Sequence, residues 1–339
     1  MKTGNETLRI GILSFAHMHA ESYGRALTAM PGVELMGIAD DDTDRGQDAA
    51  QRHSVRFYPS YQALLADKPD GVAICAENAR HAGLTIMAAE AGAHVICEKP
   101  LATTIEDGQA MLEACQSAGV ILMTAFPMRF SAPVAEVKAL LARGGLGRVH
   151  ACTATNQGQM PARHRKWFVD KELAGGGAAT DHTVHVADLL RWYLVCEVVE
   201  VYAQLNRIIH ADAVEVETGG LLLLTFADGA FASIDCSWSR PLVHTTWGGV
   251  TLELVGEAGI VTVDAFKQTI TAHGERAGKA SAIYWGSDAD RAMIAEFIAA
   301  VREGRQPLVT GYDGYKAMEI ALAAYRSAEI GQPVRLPLA

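Results

Sequence analysis

Apolar residues recur along this chain in two rhythms. Between residues 8 and 126, short aliphatic runs at 8–13, 33–39, 71–75, 94–97 and 120–126 alternate with segments of helical period. In the first such segment Tyr23, Ala26, Leu27 and Met30 fall at i, i+3, i+4 and i+7, and Pro31-Gly32 ends the helix. Similar helical segments cover 43–52, 79–91 and 105–118. This order predicts a parallel sheet with crossover helices. After about Pro127 strands follow one another at 149–155, 198–205, 220–226, 230–236, 251–255 and 260–264, predicting an antiparallel or mixed sheet. One helix at 181–194 interrupts them. Two more close the chain, with stripes Ile294, Phe297, Ile298, Val301 and Met318, Ala321, Leu322, Tyr325, and with Gly304 and Gly331 as their stops. No repeat, low-complexity tract or long linker separates the halves, so a division into 1–127 and 128–339 rests on the change of pattern alone.

The length of 339 residues, against roughly 150 for a typical domain, agrees with two domains. Hydrophobic residues at 50% and charged residues at 20% make ordinary globular composition, and a net charge of −10 argues against non-specific binding to nucleic acid or anionic membranes. The longest strongly apolar stretch, 221–226, falls far short of the ~20 residues that cross a bilayer. Residues 1–6 carry no apolar signal-peptide core, so a cytoplasmic protein is expected. The cysteines at 75, 97, 115, 152, 196 and 236 form no Cys-x-x-Cys pair and are expected to be reduced and mostly structural.

A dinucleotide-binding turn carries G-x-G-x-x-G between the first strand and helix, because close approach of the backbone to a pyrophosphate tolerates little side chain. The stretch here is Ser14-Phe15-Ala16-His17-Met18-His19. Ser14 and Ala16 are small, but His19 stands at the third glycine, so the turn fits either a nucleotide site or an α/β domain that binds none. At the end of the second run, Asp40 stands where the ribose hydroxyls of NAD are gripped, and Asp41, Asp42 and Asp44 follow. Four carboxylates repel the 2′-phosphate of NADP, which makes NAD the expected nucleotide. The same residues also read as a solvated turn in which Asp42 or Thr43 caps the next helix, and the two readings are compatible. Asn78 and His81, after the run at 71–75, are candidates for the cofactor or for helix capping.

The run at 94–97 leads into Glu98-Lys99-Pro100, placing a lysine at the C-terminal lip of a parallel sheet, where such folds bind ligands. Further on, Gly175-Gly176-Gly177 opens a helix on which Asp181, His185 and Asp188 share one face at i, i+4 and i+7. A histidine titrating near neutrality moves a proton without a metal. A helix N-terminus near Asp181 disfavours the imidazolium form of His185.

Together the strand-end E-K-P and the later GGG-x3-D-x3-H-x2-D resemble the Gfo/Idh/MocA family of oxidoreductases. The resemblance extends to the Rossmann-like start, to Arg129-Phe130 and to Thr310-Gly311-Tyr312-Asp313-Gly314, and so spans nearly the whole chain. It implies an α/β protein with an N-terminal Rossmann-like parallel-sheet domain that binds NAD(P). An α+β domain with an open, mostly antiparallel sheet follows, and often forms the oligomer interface of a homodimer or homotetramer. It also implies Lys99 and His185 as the catalytic pair, with Asp181 positioning substrate or imidazole; Asp188 reads as structural. Cofactor contacts are expected from Ser14, Phe15, Ala16, His17, His19, Asp40, Asn78, His81, Glu98 and Lys99.

Two features depart from the family pattern: the phosphate turn lacks its glycines, and His182 stands where many members carry glycine. His17 and His19 are candidates for the nicotinamide or substrate side, for phosphate oxygens, or for capping. Asp181, His182 and His185, with His164 or His244, also raise a metal cluster, but sequence does not bring these groups together and no metal is expected. Gln157, Arg163, His164, Lys166 and Trp167 form a polar loop, and Trp238-Ser239-Arg240 with His244 and Trp247 another. An aromatic beside polar groups suits a sugar ring, so Gln157, His164 and Trp167 join Lys99, Asp181, His182 and His185 as candidate substrate contacts. The expected activity is NAD-dependent hydride transfer to or from a secondary alcohol of a sugar, cyclitol or related polyol. One alternative enzyme retains its nicotinamide and cleaves or rearranges a glycoside through a transient ketone. Another alternative is a catalytically silent nucleotide- or sugar-binding regulator.

Overall fold

A computed structural model describes residues 6–163, 165–274, 279–284 and 286–338. Strands β1 (Leu8–Leu13), β2 (Val33–Ala39), β3 (Arg56–Tyr58), β4 (Gly71–Ile74), β5 (His94–Cys97) and β6 (Leu122–Thr124) form a parallel sheet in the order β3-β2-β1-β4-β5-β6. Helices α1 (Ala20–Thr28), α2 (Thr43–His53), α3 (Tyr61–Ala66), α4 (His81–Glu90) and α5 (Ile105–Ala118) lie between them in sequence. Ile10, Ile12, Ile38, Val72, Ile74 and Val95 are buried, as a sheet covered on both faces requires. Asp42, Ser60 and Thr104 cap α2, α3 and α5 by accepting the amides of Arg45, Ala63 and Asp107. β3 is absent from the sequence reading because three residues show no period; pairing with β2 at the sheet edge makes it a strand.

The chain builds outward from β1 to β3, then returns to the other side of β1 and builds outward again. That reversal leaves a crevice beyond the carboxyl ends of β1 and β4, the place where open α/β sheets take ligands.

A second sheet contains β7 (Val149–Gly158), β8 (Val198–Asn206), β9 (Gly219–Phe226), β10 (Phe231–Asp235), β11 (Gly248–Gly256) and β12 (Gly259–Asp264). A separate hairpin joins β13 (Thr269–Gly274) to β14 (Lys279–Tyr284), and β15 (Val334–Arg335) closes the sheet in the order β12-β11-β7-β10-β9-β8-β15. All its pairs are antiparallel except β10 with β7. Helices α6 (Ala132–Ala142), α7 (Lys171–Ala174), α8 (Ala178–Leu194), α9 (Ala289–Glu303) and α10 (Gly311–Ile330) complete the described chain. α8 packs against β7, β9 and β10 on one face of the second sheet.

The fold divides into two compact units, neither continuous in sequence. The first takes Met1–Pro127, Ala162–Gly175 and Asp290–Met318, and the second takes Met128–Pro161, Gly176–Ala289 and Glu319–Ala339. No described helix is long and apolar enough to cross a membrane.

Candidate active site

In the first unit, the turn after β1 has a glycine's backbone without a glycine. Ser14 sits at φ +71°, in the left-handed region that costs an ordinary residue about 1–2 kcal/mol, and its Oγ accepts the Ala16 amide at 3.1 Å. Phe15 N donates to Asp40 Oδ2 at 2.7 Å and His17 N to Cys75 O at 2.8 Å, which ties the turn to the ends of β2 and β4. Arg165 Nε and Trp167 Nε1 both donate to Ala16 O, at 2.9 and 3.1 Å, and Trp167 stacks on Phe168 with ring centroids 4.1 Å apart. The indole that sequence placed against substrate is therefore buried against the turn.

Asp40 is buried with all four acceptor positions taken. Oδ2 receives Phe15 N and Arg45 Nε at 2.7 and 2.9 Å; Oδ1 receives Asp42 N and Arg45 Nη2 at 3.0 and 2.6 Å. A ribose hydroxyl reaches this carboxylate only by displacing a donor, and Arg45 is the partly exposed one. Asn78 Nδ2 donates to Ala174 O at 2.8 Å, while its buried Oδ1 has no hydrogen-bond partner among the described residues. An unmet acceptor of that kind costs about 1–3 kcal/mol and suits a donor brought by a ligand. His81, by contrast, is fully buried, with Nδ1 2.9 Å from Pro100 O and Nε2 3.2 Å from Ala76 O. Its imidazole braces the strand ends, and burial lowers its pKa. The crevice, the left-handed turn and the orphan acceptor fit a bound dinucleotide.

Glu98 gathers a buried group around it. Its Oε1 lies 3.0 Å from His19 Nδ1 and 3.5 Å from His17 Nδ1 and accepts Tyr23 OH at 2.5 Å; Oε2 accepts the Lys99 amide at 3.1 Å. Burial opposes its charge, but the imidazoles of His17 and His19 hold its carboxyl well below the usual range. His19 is raised in turn: burial pulls its pKa down, and Glu98 more than offsets this. Lys99 is buried beside this group.

The second unit holds the glycine triplet's end and α8. A Cβ on Gly176, at φ +152°, runs into the Tyr325 hydroxyl, and one on Gly177 runs into the Glu217 carbonyl oxygen. Glu217 Oε1 accepts Gly177 N at 2.9 Å, Ala179 N at 3.0 Å and Tyr325 OH at 2.6 Å. It supplies the cap that Gly177 lacks and sets a carboxyl at the positive end of the helix. Burial nevertheless pushes the Glu217 pKa up, against these hydrogen bonds.

α8 begins at Ala178, ahead of the expected 181, so His185 stands about two turns inside the helix. The helix dipole acts within its first turn, so its expected influence on His185 does not hold. From residue 178 to 191 every residue of α8 is buried except His185. Asp181, one turn earlier, accepts Trp238 Nε1 at 3.2 Å and lies 3.3 Å from His182 Nε2. His182 Nδ1 in turn is 3.1 Å from Cys236 O. Gly158 leaves room for that ring, since a Cβ there comes within 2.8 Å of His182 Cε1. Asp188 is locked by Arg129, with Nε to Oδ2 at 2.8 Å and Nη2 to Oδ1 at 2.6 Å, both side chains buried.

Gln157, a candidate substrate contact, donates to Asp235 Oδ2 at 2.6 Å on the face of β7 turned away from α8. Strand alternation instead turns its neighbour Asn156 toward α8, with Nδ2 donating to Gly249 O at 3.0 Å. Its buried Oδ1 has no partner among the described residues. His164 lies outside the described residues. Among those described, His17, His19 and Glu98 bring their imidazole nitrogens and carboxylate oxygen within 4.8 Å of one another, a closeness not found among Asp181, His182 and His185. Sequence reading missed Arg45, Asn156, Glu217 and the roles of Tyr23, Trp238 and Tyr325. The signal for both tyrosines was a hydroxyl on an apolar helical stripe, which needs a partner once buried.

A doubly wound parallel sheet, followed in the chain by a mixed-sheet unit bearing an acid and a histidine on one helix, is the architecture of a two-unit dinucleotide-binding protein. Residues 8–126 match the profile of an oxidoreductase family with an NAD-binding Rossmann fold, and residues 134–262 that of the GFO/IDH/MocA C-terminal domain. The chain belongs to the Gfo/Idh/MocA family, and its N-terminal part is an NAD-binding domain. It is 29% identical over 343 residues to the myo-inositol 2-dehydrogenase of Thermotoga maritima, covering 97% of this chain and 98% of the relative. The levoglucosan dehydrogenase of Pseudarthrobacter phenanthrenivorans is 30% identical over 290 residues, 76% of this chain and 73% of the relative. Among solved structures, GenD2 from gentamicin A biosynthesis, in complex with NAD, matches with a TM-score of 0.89 and 26% identity over 100% of this chain and 99% of that one.

Proposed function

We propose that this protein transfers hydride between NAD and a secondary alcohol of a sugar, cyclitol or related polyol. The observation that carries the reading is the single unburied residue along residues 178–191 of α8, His185, one turn from a carboxylate fixed by Trp238 and His182. NAD, when bound, supplies the hydride acceptor. His185 takes the proton of the reacting hydroxyl, and its partial exposure lets that proton pass to water. Asp181 orients the substrate or the imidazole, its own carboxylate anchored by the Trp238 indole N–H. Lys99 stabilises the oxygen as it becomes negative. Asn78 Oδ1 accepts from the cofactor. Relatives named for myo-inositol and levoglucosan support a cyclic polyol as substrate.

In the same proposal residues 1–127 serve the nucleotide and 128–339 the substrate and self-association. On one face of the second sheet Leu221, Leu223 and Phe231 are 61%, 55% and 59% exposed on the paired strands β9 and β10. Such a patch is covered at low cost by a second copy, giving a homodimer or homotetramer. Leu223→Lys should then lower the mass seen by sedimentation. The cytoplasm is the proposed setting, where the six free cysteines stay reduced.

The test is Lys99→Ala and His185→Ala, each assayed for turnover and, separately, for NAD binding by calorimetry. Loss of turnover with NAD binding retained is expected; unchanged turnover in either variant sinks the assignment of that residue.

A further inference from the structure

The group around Glu98 offers more than a braced turn. His17 and His19, two residues apart, reach it from one side and Glu98 from the end of β5, and their ligating atoms all lie within 4.8 Å of one another. The His17 and Glu98 side chains are 2% and 0% exposed, whereas that of His19 is 20% exposed. The separations of 3.0 and 3.5 Å from Glu98 Oε1 to the two Nδ1 atoms bracket about 3.3 Å, the edge of a tetrahedron with ~2.0–2.1 Å bonds. The His19 amide reaches the lone pair of His17 Nδ1 at 3.3 Å, a long contact that a cation bound on the same lone pair displaces. Tyr23 OH and the Lys99 amide both donate to the Glu98 carboxylate and hold it in place, as the outer hydrogen bonds of metal-binding carboxylates do.

We propose that His17 Nδ1, His19 Nδ1 and Glu98 Oε1 bind a first-row divalent cation, zinc by ligand type. The fourth position opens on the side of His19 and is filled by water. Two imidazoles and one carboxylate are a borderline donor set, unlike the all-oxygen shells of magnesium and calcium. On this view the two histidines stand in place of the turn's glycines because they are ligands.

The test uses the full-length protein, stripped with a chelator and titrated with Co2+ alone, without NAD or substrate, so its outcome is independent of the polyol reading. Uptake of about one Co2+ per chain is expected, with intense visible bands of four-coordinate geometry and displacement by Zn2+. His19→Ala and Glu98→Gln should each weaken uptake by at least about 100-fold, the upper range for losing even an outer partner. Circular dichroism checks that the variants fold. Where one does not, the wild-type protein decides alone, since bound Co2+ must shift the proton resonances of two imidazoles. Absence of uptake, absence of those shifted resonances, or full affinity in folded variants overturns the site.

Discussion

The turn after β1 and the loop before α8 each lead the chain into a helix N-terminus, one without a glycine and one through three in a row. In the first, space that glycine leaves open is filled by the turn's own neighbours: Trp167 and Arg165 on Ala16 O, Asp40 on Phe15 N, Glu98 beside His17 and His19. In the second, the glycines admit groups from far along the chain, the Tyr325 hydroxyl and the Glu217 carbonyl and carboxyl. A glycine motif thus records how closely something approaches. Its loss signals a different filling as readily as a lost function.

His185→Ala should reduce kcat by about 10²–10⁴-fold while leaving the melting temperature in place, because the ring is partly exposed and only its proton transfer is lost. Steady-state kinetics and a melt on the same sample check both halves; an equal fall in stability assigns the residue to the fold. Next in size is the anchor of α8. Arg129→Met leaves Asp188 buried without its bidentate partner and should cost about 3–5 kcal/mol in urea unfolding. A loss below about 1 kcal/mol shows that Asp188 is supported in other ways.

The two loops separate in a paired substitution. Gly177→Ala drives a Cβ into the Glu217 carbonyl and should cost about 1–3 kcal/mol, whereas Ser14→Gly relieves a left-handed serine and should change stability by less than about 1 kcal/mol. Equal costs at the two positions erase the distinction. The smallest effect is electrostatic. Burial holds Glu217 above its ordinary 4.5, so folding favours the protonated form. Its contribution is full below that pH and falls as pH rises toward the folded-state value. The stability of the wild type relative to Glu217→Gln should therefore shrink over that window, and a difference that widens with pH contradicts the assignment.

Much of the fold was legible because buried parallel strands and amphipathic helices repeat at local periods. β3 escaped because its place is set by pairing with β2, and the start of α8 moved because its cap, Glu217, comes from 40 residues away, beyond any local signal. Trp167 shows the limit for site residues. An aromatic in a polar loop suits a sugar and equally suits a backbone carbonyl such as that of Ala16, and only three-dimensional contact separates the two. Gln157 and Asn156 differ by one position in a strand, which inverts the face; counting alternation outward from buried Ala154 would have found Asn156.

Hydride transfer between NAD and a cyclic polyol stands or falls on one assay. It is tested most directly by mixing the purified protein with NAD and a pooled panel of inositols, sugars and anhydrosugars, and following the near-ultraviolet absorbance of reduced nicotinamide. A sustained rise that His185→Ala abolishes is the expected result. A flat trace from protein shown by calorimetry to bind NAD contradicts polyol oxidation.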